Sequence, residues 1–148
     1  MRVILVRHGK AEAHSFDKPD STRELTLEGR EELQEHVPYL VSHLDKQMTT
    51  VYSSPLTRAI QTAEYFDEEP ELVDFLATGN LQELIDCISE HGEKETLLFV
   101  GHEPILSDWV YELTGKMLVV KKGMAIVLDW PDKVVSSYKL KDYQSFQM

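Results

Sequence analysis

The feature that most constrains this fold is a short aliphatic run, residues 3–6, followed directly by Arg7-His8-Gly9. A brief apolar run that ends in a turn-forming glycine is typical of a buried β-strand. The arrangement returns at residues 96–100, which are followed by Gly101-His102. The sequence therefore predicts two buried strands, each of which ends close to a glycine and a histidine.

Helical patterns separate the predicted strands. Thr26 is the predicted N-cap of a first helix, and Pro38 either kinks that helix or splits it in two. Ser54 and Pro55 are the predicted cap and first residue of a second helix that runs to about Phe66. Two later helices are predicted over residues 81–91 and 104–113, and further extended segments over residues 49–53, 72–76, 118–120, 124–128 and 134–140.

Strands that alternate with helices predict an α/β domain with a mainly parallel central sheet between layers of helices. The last two extended segments flank a turn at residues 130–132, so they are predicted to form a hairpin or edge strands. We expect one domain over residues 1–148 and a poorly ordered tail after Asp142.

Charge and composition limit the partners. The chain has 26 acidic residues against 15 Lys and Arg, and its net charge of −11 disfavours nucleic acids and anionic membranes. An anionic ligand would need a local basic pocket. The single cysteine, Cys87, cannot form an internal disulfide, and neither a signal peptide nor a membrane span is apparent, so a cytoplasmic protein is expected.

The basic residues near the predicted strand ends indicate such a pocket. In open α/β sheets ligands bind beyond the carboxyl ends of strands, so His8 and His102 are predicted to converge there. Arg7, Arg58 and Arg23 lie near the starts of loops or helices, where guanidinium groups and helix N-terminal amides bind phosphate. The sequence therefore predicts a phosphoryl-binding site.

Three segments also carry a family resemblance. Residues 5–9, 53–63 and 100–102 resemble, in this order, the signature segments of the histidine phosphatase superfamily, which has the phosphoglycerate mutase-like fold, a three-layer α/β sandwich. The short length, and Arg23-Glu24-Leu25-Thr26 followed by Gly29, resemble the compact SixA-type phosphohistidine phosphatases.

The resemblance implies a role for each matching residue. His8 would be the nucleophile that takes the phosphoryl group, Arg7 and Arg58 would hold its oxygens, and His102 would hydrogen-bond them in the transition state. Arg23 resembles an additional arginine of the SixA-type branch. The neighbouring guanidinium charges should help to keep His8 neutral, and no metal ion or other cofactor is expected.

Two features depart from the family pattern. His14 occupies a position that is often Asn in the mutase-like branch, so it either contacts phosphate or has a surface role. The general acid is either Asp74, where the superfamily often has an acidic residue, or Glu103, which follows His102 as an acid does in the acid-phosphatase branch. A phosphohistidine substrate would need that acid less, because imidazole is a better leaving group than an alkoxide.

Three functions follow as hypotheses. The first is a phosphatase acting on the phosphohistidine of a partner protein, such as a phosphotransfer domain or phosphocarrier, because the 44 positions between Arg58 and His102 leave little room for a substrate-enclosing lid. The second is a phosphatase of small esters such as sugar or nucleotide phosphates. The third is a non-catalytic module that binds phosphorylated partners.

Overall fold

The computed structural model describes residues 1–142, and the predicted disordered tail lies outside them. Six strands form one sheet in the order β3-β2-β4-β1-β5-β6. The strands are β1 (Arg2–Arg7), β2 (Thr49–Ser53), β3 (Glu71–Leu72), β4 (Thr96–Gly101), β5 (Met124–Asp129) and β6 (Val134–Lys139). The pairs from β3 to β1 are parallel, whereas β5 and β6 are antiparallel to their neighbours, so the mainly parallel sheet and the late hairpin are both confirmed.

In the described part of the chain, five α-helices cover the two faces of the sheet. They are α1 (Leu27–Val41), α2 (Thr57–Ala63), α3 (Phe75–Thr78), α4 (Leu81–Ser89) and α5 (Ile105–Thr114). Alternate residues of β1 point into separate cores: Ile4 and Val6 pack with α1 and α2, while Val3 and Leu5 pack with α3, α4 and α5. The result is the expected three-layer α/β sandwich. Within residues 1–142, no helix is long and apolar enough to cross a membrane.

Several predicted boundaries are wrong. Helix α2 begins at Thr57 and not at Pro55, and its cap is Leu56 and not Ser54, because Ser54 is fully buried and accepts a hydrogen bond from the Leu56 amide, which leaves Leu56 extended. The same helix ends at Ala63, before the predicted Phe66. Pro38 lies inside one continuous helix, and on its exposed side, so α1 is not split.

Two predicted extended segments also differ. Only residues 71–72 pair with β2, and the chain turns into α3 at Phe75, because Phe75 and Leu76 are buried against the sheet. Residues 118–120 form no strand, and the Val120 carbonyl instead accepts a hydrogen bond from the Arg7 guanidinium.

The start of α1 is tied to the chain that follows β1. Thr26 is the N-cap, as predicted, and its hydroxyl accepts from the Gly29 amide at 3.0 Å. The Thr26 amide donates to the Lys10 carbonyl at 2.9 Å. The Lys10 carbonyl lies so close to α1 that a Cβ atom at Gly29 would overlap its oxygen. The glycine therefore lets the helix approach the segment next to His8.

We predict that Gly29→Ala destabilises the protein, although Gly→Ala in a helix ordinarily stabilises. Backbone must move to relieve the overlap with Lys10, which costs about 1–3 kcal/mol. Urea unfolding measures the change. Gly92→Ala is the control, because its Cβ would meet only the Glu95 carboxylate, at 3.6 Å. Equal stability of Gly29→Ala and the parent chain would contradict the prediction.

Candidate active site

Three parallel strands end together at one edge of the sheet. His8 follows β1, His102 follows β4 and Ser54 follows β2. The His8 amide donates to the Gly101 carbonyl at 3.1 Å, and the Ser54 amide donates to the Val100 carbonyl at 3.0 Å. The ring centroids of His8 and His102 lie 5.1 Å apart. The structure thus brings together the two histidines that the sequence analysis placed at strand ends.

The tautomer of His8 follows from its hydrogen bond. Its Nδ1 lies 2.7 Å from the Gly9 carbonyl oxygen. A carbonyl can only accept, so Nδ1 carries the proton and Nε2 of the neutral ring has a free lone pair. Burial lowers the pKa of His8 to about 4; the charges of Arg58, Arg7 and Lys122 act in the same direction, and the Gly9 hydrogen bond opposes them. His8 is therefore neutral and nucleophilic at neutral pH.

His102 is held by the serine that follows β2. Its Nε2 lies 2.7 Å from the Ser54 hydroxyl, whose oxygen accepts from the Leu56 amide at 3.2 Å. The buried hydroxyl proton has Nε2 as its acceptor, which places the ring proton on Nδ1. Burial lowers the pKa of His102 to about 3, with further lowering by His8 and Arg58. His102 is thus a neutral hydrogen-bond donor beside His8.

Two arginines face the histidines from different elements. Arg58 belongs to the first turn of α2 and is only 7% exposed, while Arg7 is the last residue of β1. The charges of both lower the pKa values of His8 and His102, so they lie within electrostatic range of both rings. Among residues 1–142, the buried nitrogens Arg7 Nε, Arg58 Nε and His102 Nδ1 have no hydrogen-bond partner. Unpartnered buried donors near a neutral imidazole are suited to an oxyanion.

An acidic residue that the sequence did not single out contacts three basic side chains at the entrance to the site. Asp20, in a short 3₁₀ helix (Asp20–Thr22), accepts from Arg58 Nη2 at 3.2 Å and from Arg23 Nε at 2.8 Å. His14 Nε2 lies 3.3 Å from the same carboxylate, and the Asp20 carbonyl accepts from Arg58 Nη1 at 2.9 Å. Arg23 and His14 therefore reach the site through Asp20. No sequence signal separated Asp20 from the other charged residues of its loop.

Helix α2 fixes the two loops around the site. The Gly9 amide donates to the Thr62 hydroxyl at 3.1 Å, and that hydroxyl donates to the Arg58 carbonyl at 2.8 Å. The Leu25 amide donates to the Gln61 side chain at 2.8 Å. One face of α2 thus holds both the turn after His8 and the chain that follows Arg23.

The two predicted general acids have other surroundings. Asp74 precedes α3 and lines a cavity of about 430 Å³ together with Tyr52, Glu71 and Cys87. The Glu103 carboxylate accepts from the Ser107 amide at 2.8 Å in the first turn of α5. Their roles as proton donors remain predictions. Within residues 1–142, no three His, Cys, Asp or Glu side chains form a group that could hold a metal ion.

The lowered pKa values predict the titration of both rings. Between pH 5 and 8 we expect His8 and His102 to stay neutral, with midpoints near pH 4 and pH 3 by nitrogen-15 NMR of the imidazoles. In urea the same rings should titrate near about 6.5. Because the unfolded chain then binds more protons, the free energy of unfolding should fall as pH decreases from about 6.5 towards 4. A folded-state midpoint near 6.5 for either ring would contradict this.

Asp20 should compete with bound anions. Its pKa is held low by its hydrogen bonds to Arg23 and Arg58, which outweigh its desolvation, so it is ionised at neutral pH. Asp20→Asn removes this charge but leaves the backbone contact with Arg58. We predict that inorganic phosphate binds roughly two- to tenfold more tightly to the variant, measured by calorimetry. Asp17→Asn, in the same loop, is the charge-matched control. Weaker binding would mean that the carboxylate instead orients the guanidinium groups.

Solved structures with similar folds include phosphatases of several kinds. The SixA protein histidine phosphatase complexed with tungstate has a TM-score of 0.75 and 22% identity, over 93% of this chain and 94% of that one. Phosphoserine phosphatase from Entamoeba histolytica, in complex with 3-phosphoglyceric acid, has a TM-score of 0.73 and 18% identity, over 97% and 98%. A protein from Escherichia coli assigned as an alpha-ribazole-5'-P phosphatase has a TM-score of 0.72 and 19% identity, over 94% and 95%.

Sequence comparison identifies the family of the chain. No curated protein sequence matches the chain significantly. The sequence model of the histidine phosphatase superfamily, branch 1, matches residues 3–85, which is more than half of the chain and includes Arg7, His8 and Arg58. The chain therefore belongs to the histidine phosphatase superfamily.

Proposed function

We propose that this protein is a phosphatase that works through a phosphorylated His8 and removes phosphate from a phosphohistidine of a partner protein. The observation that carries the proposal is the set of unpartnered donors around His8. The Nε2 lone pair is free, while Arg7 Nε, Arg58 Nε and His102 Nδ1 are buried without partners among the described residues. Such an arrangement suits a phosphoryl group whose oxygens take up those donors.

The reaction has two steps. His8 Nε2 forms a bond to phosphorus while the bond from phosphorus to the leaving nitrogen breaks, and that electron pair stays on the leaving imidazole. Water then attacks phosphorus and the Nε2–P bond breaks, so the electron pair returns to His8 Nε2. Both protons of the water stay on the released phosphate, which leaves as dihydrogen phosphate. Arg7, Arg58 and His102 stabilise the charge on the phosphoryl oxygens in both steps.

The surroundings of the site support a good leaving group. Asp20 is the carboxylate in contact with Arg58, and its lowered pKa makes it a poor proton donor at neutral pH. A phosphohistidine whose distal nitrogen is protonated leaves as neutral imidazole and needs no enzyme acid. The residues between α2 and β4 form β3, α3 and α4, whose apolar side chains pack against the sheet. Because this stretch of the chain packs against the sheet, it favours a site that is open to the surface of a partner protein. SixA, one of the similar structures, is a protein histidine phosphatase.

A small phosphate ester is the second candidate substrate. The similarity to the Entamoeba histolytica phosphoserine phosphatase favours it, and so does the position of Glu103 directly after His102. An ester needs a proton donor, so Asp74→Asn or Glu103→Gln should slow ester hydrolysis if one of them is the acid. A chain that cleaves small esters but leaves a phosphohistidine carrier intact would reject the first proposal in favour of this one.

We predict that a phosphorylated enzyme can be trapped on His8. After brief mixing with a phosphohistidine carrier and an acid-free quench, mass spectrometry should find one added phosphoryl group on the peptide that contains His8. His8→Ala should lose the adduct and roughly three orders of magnitude or more of turnover, because it removes the nucleophile. His43→Ala, at the end of α1, is the control. Substrate binding with no adduct and no turnover in the parent chain would instead favour the non-catalytic module.

A further inference from the structure

A second basic feature lies next to the site. It is a groove with a volume of about 230 Å³, bounded by the loop before β5, the end of β6 and one side of α1. Its lysines are Lys121, Lys122, Lys139 and Lys141, and we refer to it as the lysine groove. Gly9 and Leu33 also line it, as do His36 and Glu32 of α1.

The charge of the lysine groove is largely uncompensated. All four lysines are exposed, and none takes part in the ion pairs formed among residues 1–142. By contrast, two other lysines are paired: Lys10 contacts Glu28 at 2.6 Å, and Lys18 contacts Glu12 at 2.8 Å. Glu32 is the acidic residue that lines the groove. In a chain of net charge −11, four lysines without an ion pair among the described residues, all around one groove, form a local concentration of positive charge.

The lysine groove adjoins the residues of the phosphoryl site. Gly9, which lines it, follows His8 directly, and the Gly123 amide donates to the carbonyls of Arg7 and His8 at 3.1 and 3.2 Å. Lys122 is also close enough for its charge to act on His8. A polypeptide whose phosphorylated side chain reached His8 could therefore place its neighbouring residues in the groove.

We propose that the lysine groove binds an acidic segment of the phosphorylated partner protein, beside its phosphorylated residue. The inference rests on the proposed function for the position of the phosphoryl group. A short acidic segment fits because it contacts the groove alone. An anionic membrane or a nucleic acid would extend past it onto the exposed carboxylates of α1, including Glu31 and Glu35, which would repel it. Shape and charge together favour a segment of protein.

The test separates binding from catalysis. The variant Lys121→Gln/Lys139→Gln/Lys141→Gln removes three groove charges and retains Lys122, whose charge acts on His8. The control Lys46→Gln/Lys94→Gln/Lys116→Gln removes three exposed lysines that do not line the groove. A labelled, unphosphorylated oligoglutamate peptide is titrated by fluorescence anisotropy at low and near-physiological salt. Phosphohistidine peptides with glutamate or glutamine flanks, and a small aryl phosphate, are then compared as substrates.

We expect the groove variant to bind oligoglutamate roughly tenfold more weakly, with a flatter salt dependence, while the control variant matches the parent chain. The preference for glutamate-flanked substrate should fall by a similar factor, and turnover of the aryl phosphate should stay unchanged. Equal peptide affinity of the groove variant and the parent would overturn the proposal. Binding to phosphatidylglycerol vesicles that depends on the groove lysines, without peptide binding, would also overturn it. Peptide binding through the groove without phosphohistidine cleavage would support the groove and reject the proposed function.

Discussion

The parallel pairing of β1 with β4 is the constraint on which the site depends. The register pairs Arg7 with Gly101. His8 and His102, which are the next residues, therefore follow the two strands at the same end of the sheet and side by side. A shift of one residue would exchange the two faces of β1, placing Ile4 and Val6 where Val3 and Leu5 now pack. The two apolar cores therefore hold the register, and the register holds the histidines together.

Burial then gives this arrangement its chemistry. An imidazole in water is partly protonated near neutral pH, but desolvation lowers the pKa values of His8 and His102 to about 4 and about 3. Arg58 is buried as well. The Asp20 carboxylate, at the entrance to the site, offsets part of the positive charge of the Arg58 guanidinium group. Because an exposed carboxylate can be displaced more easily than a buried one, this partner need not prevent a phosphate from approaching Arg58. A neutral imidazole among cationic donors is thus a result of packing as much as of residue type.

The sequence predicted the sheet, the helices and four of the central residues because their signals are local. Apolar runs mark strands, and Arg7, His8, Arg58 and His102 lie close to the ends or starts of predicted elements. Asp20 was not predicted, because its role depends on where a polar loop folds back. Its neighbours in sequence, Asp17 and Glu24, have the same charge and similar positions in the loop, so the sequence does not distinguish Asp20 from them. Ser54 was predicted as a helix cap, because a serine before proline carries that local signal. Its contact with His102 spans 48 positions, so only tertiary structure reveals it.

Charge distribution connects the site to its choice of partner. At physiological ionic strength, exposed charges act over roughly 8 Å, so a substrate close to His8 experiences the arginines and groove lysines more than the acidic remainder of the chain. Farther from the site, the net charge of −11 repels anions. This repulsion acts most on anions that are large enough to approach the rest of the protein surface. A phosphorylated side chain on a narrow acidic segment would be attracted by the arginines and the groove lysines without approaching the acidic surface of the rest of the chain. If the groove binds such a segment, free phosphate would meet the same arginines without the contacts of the groove, so product would leave while a flanked substrate is held.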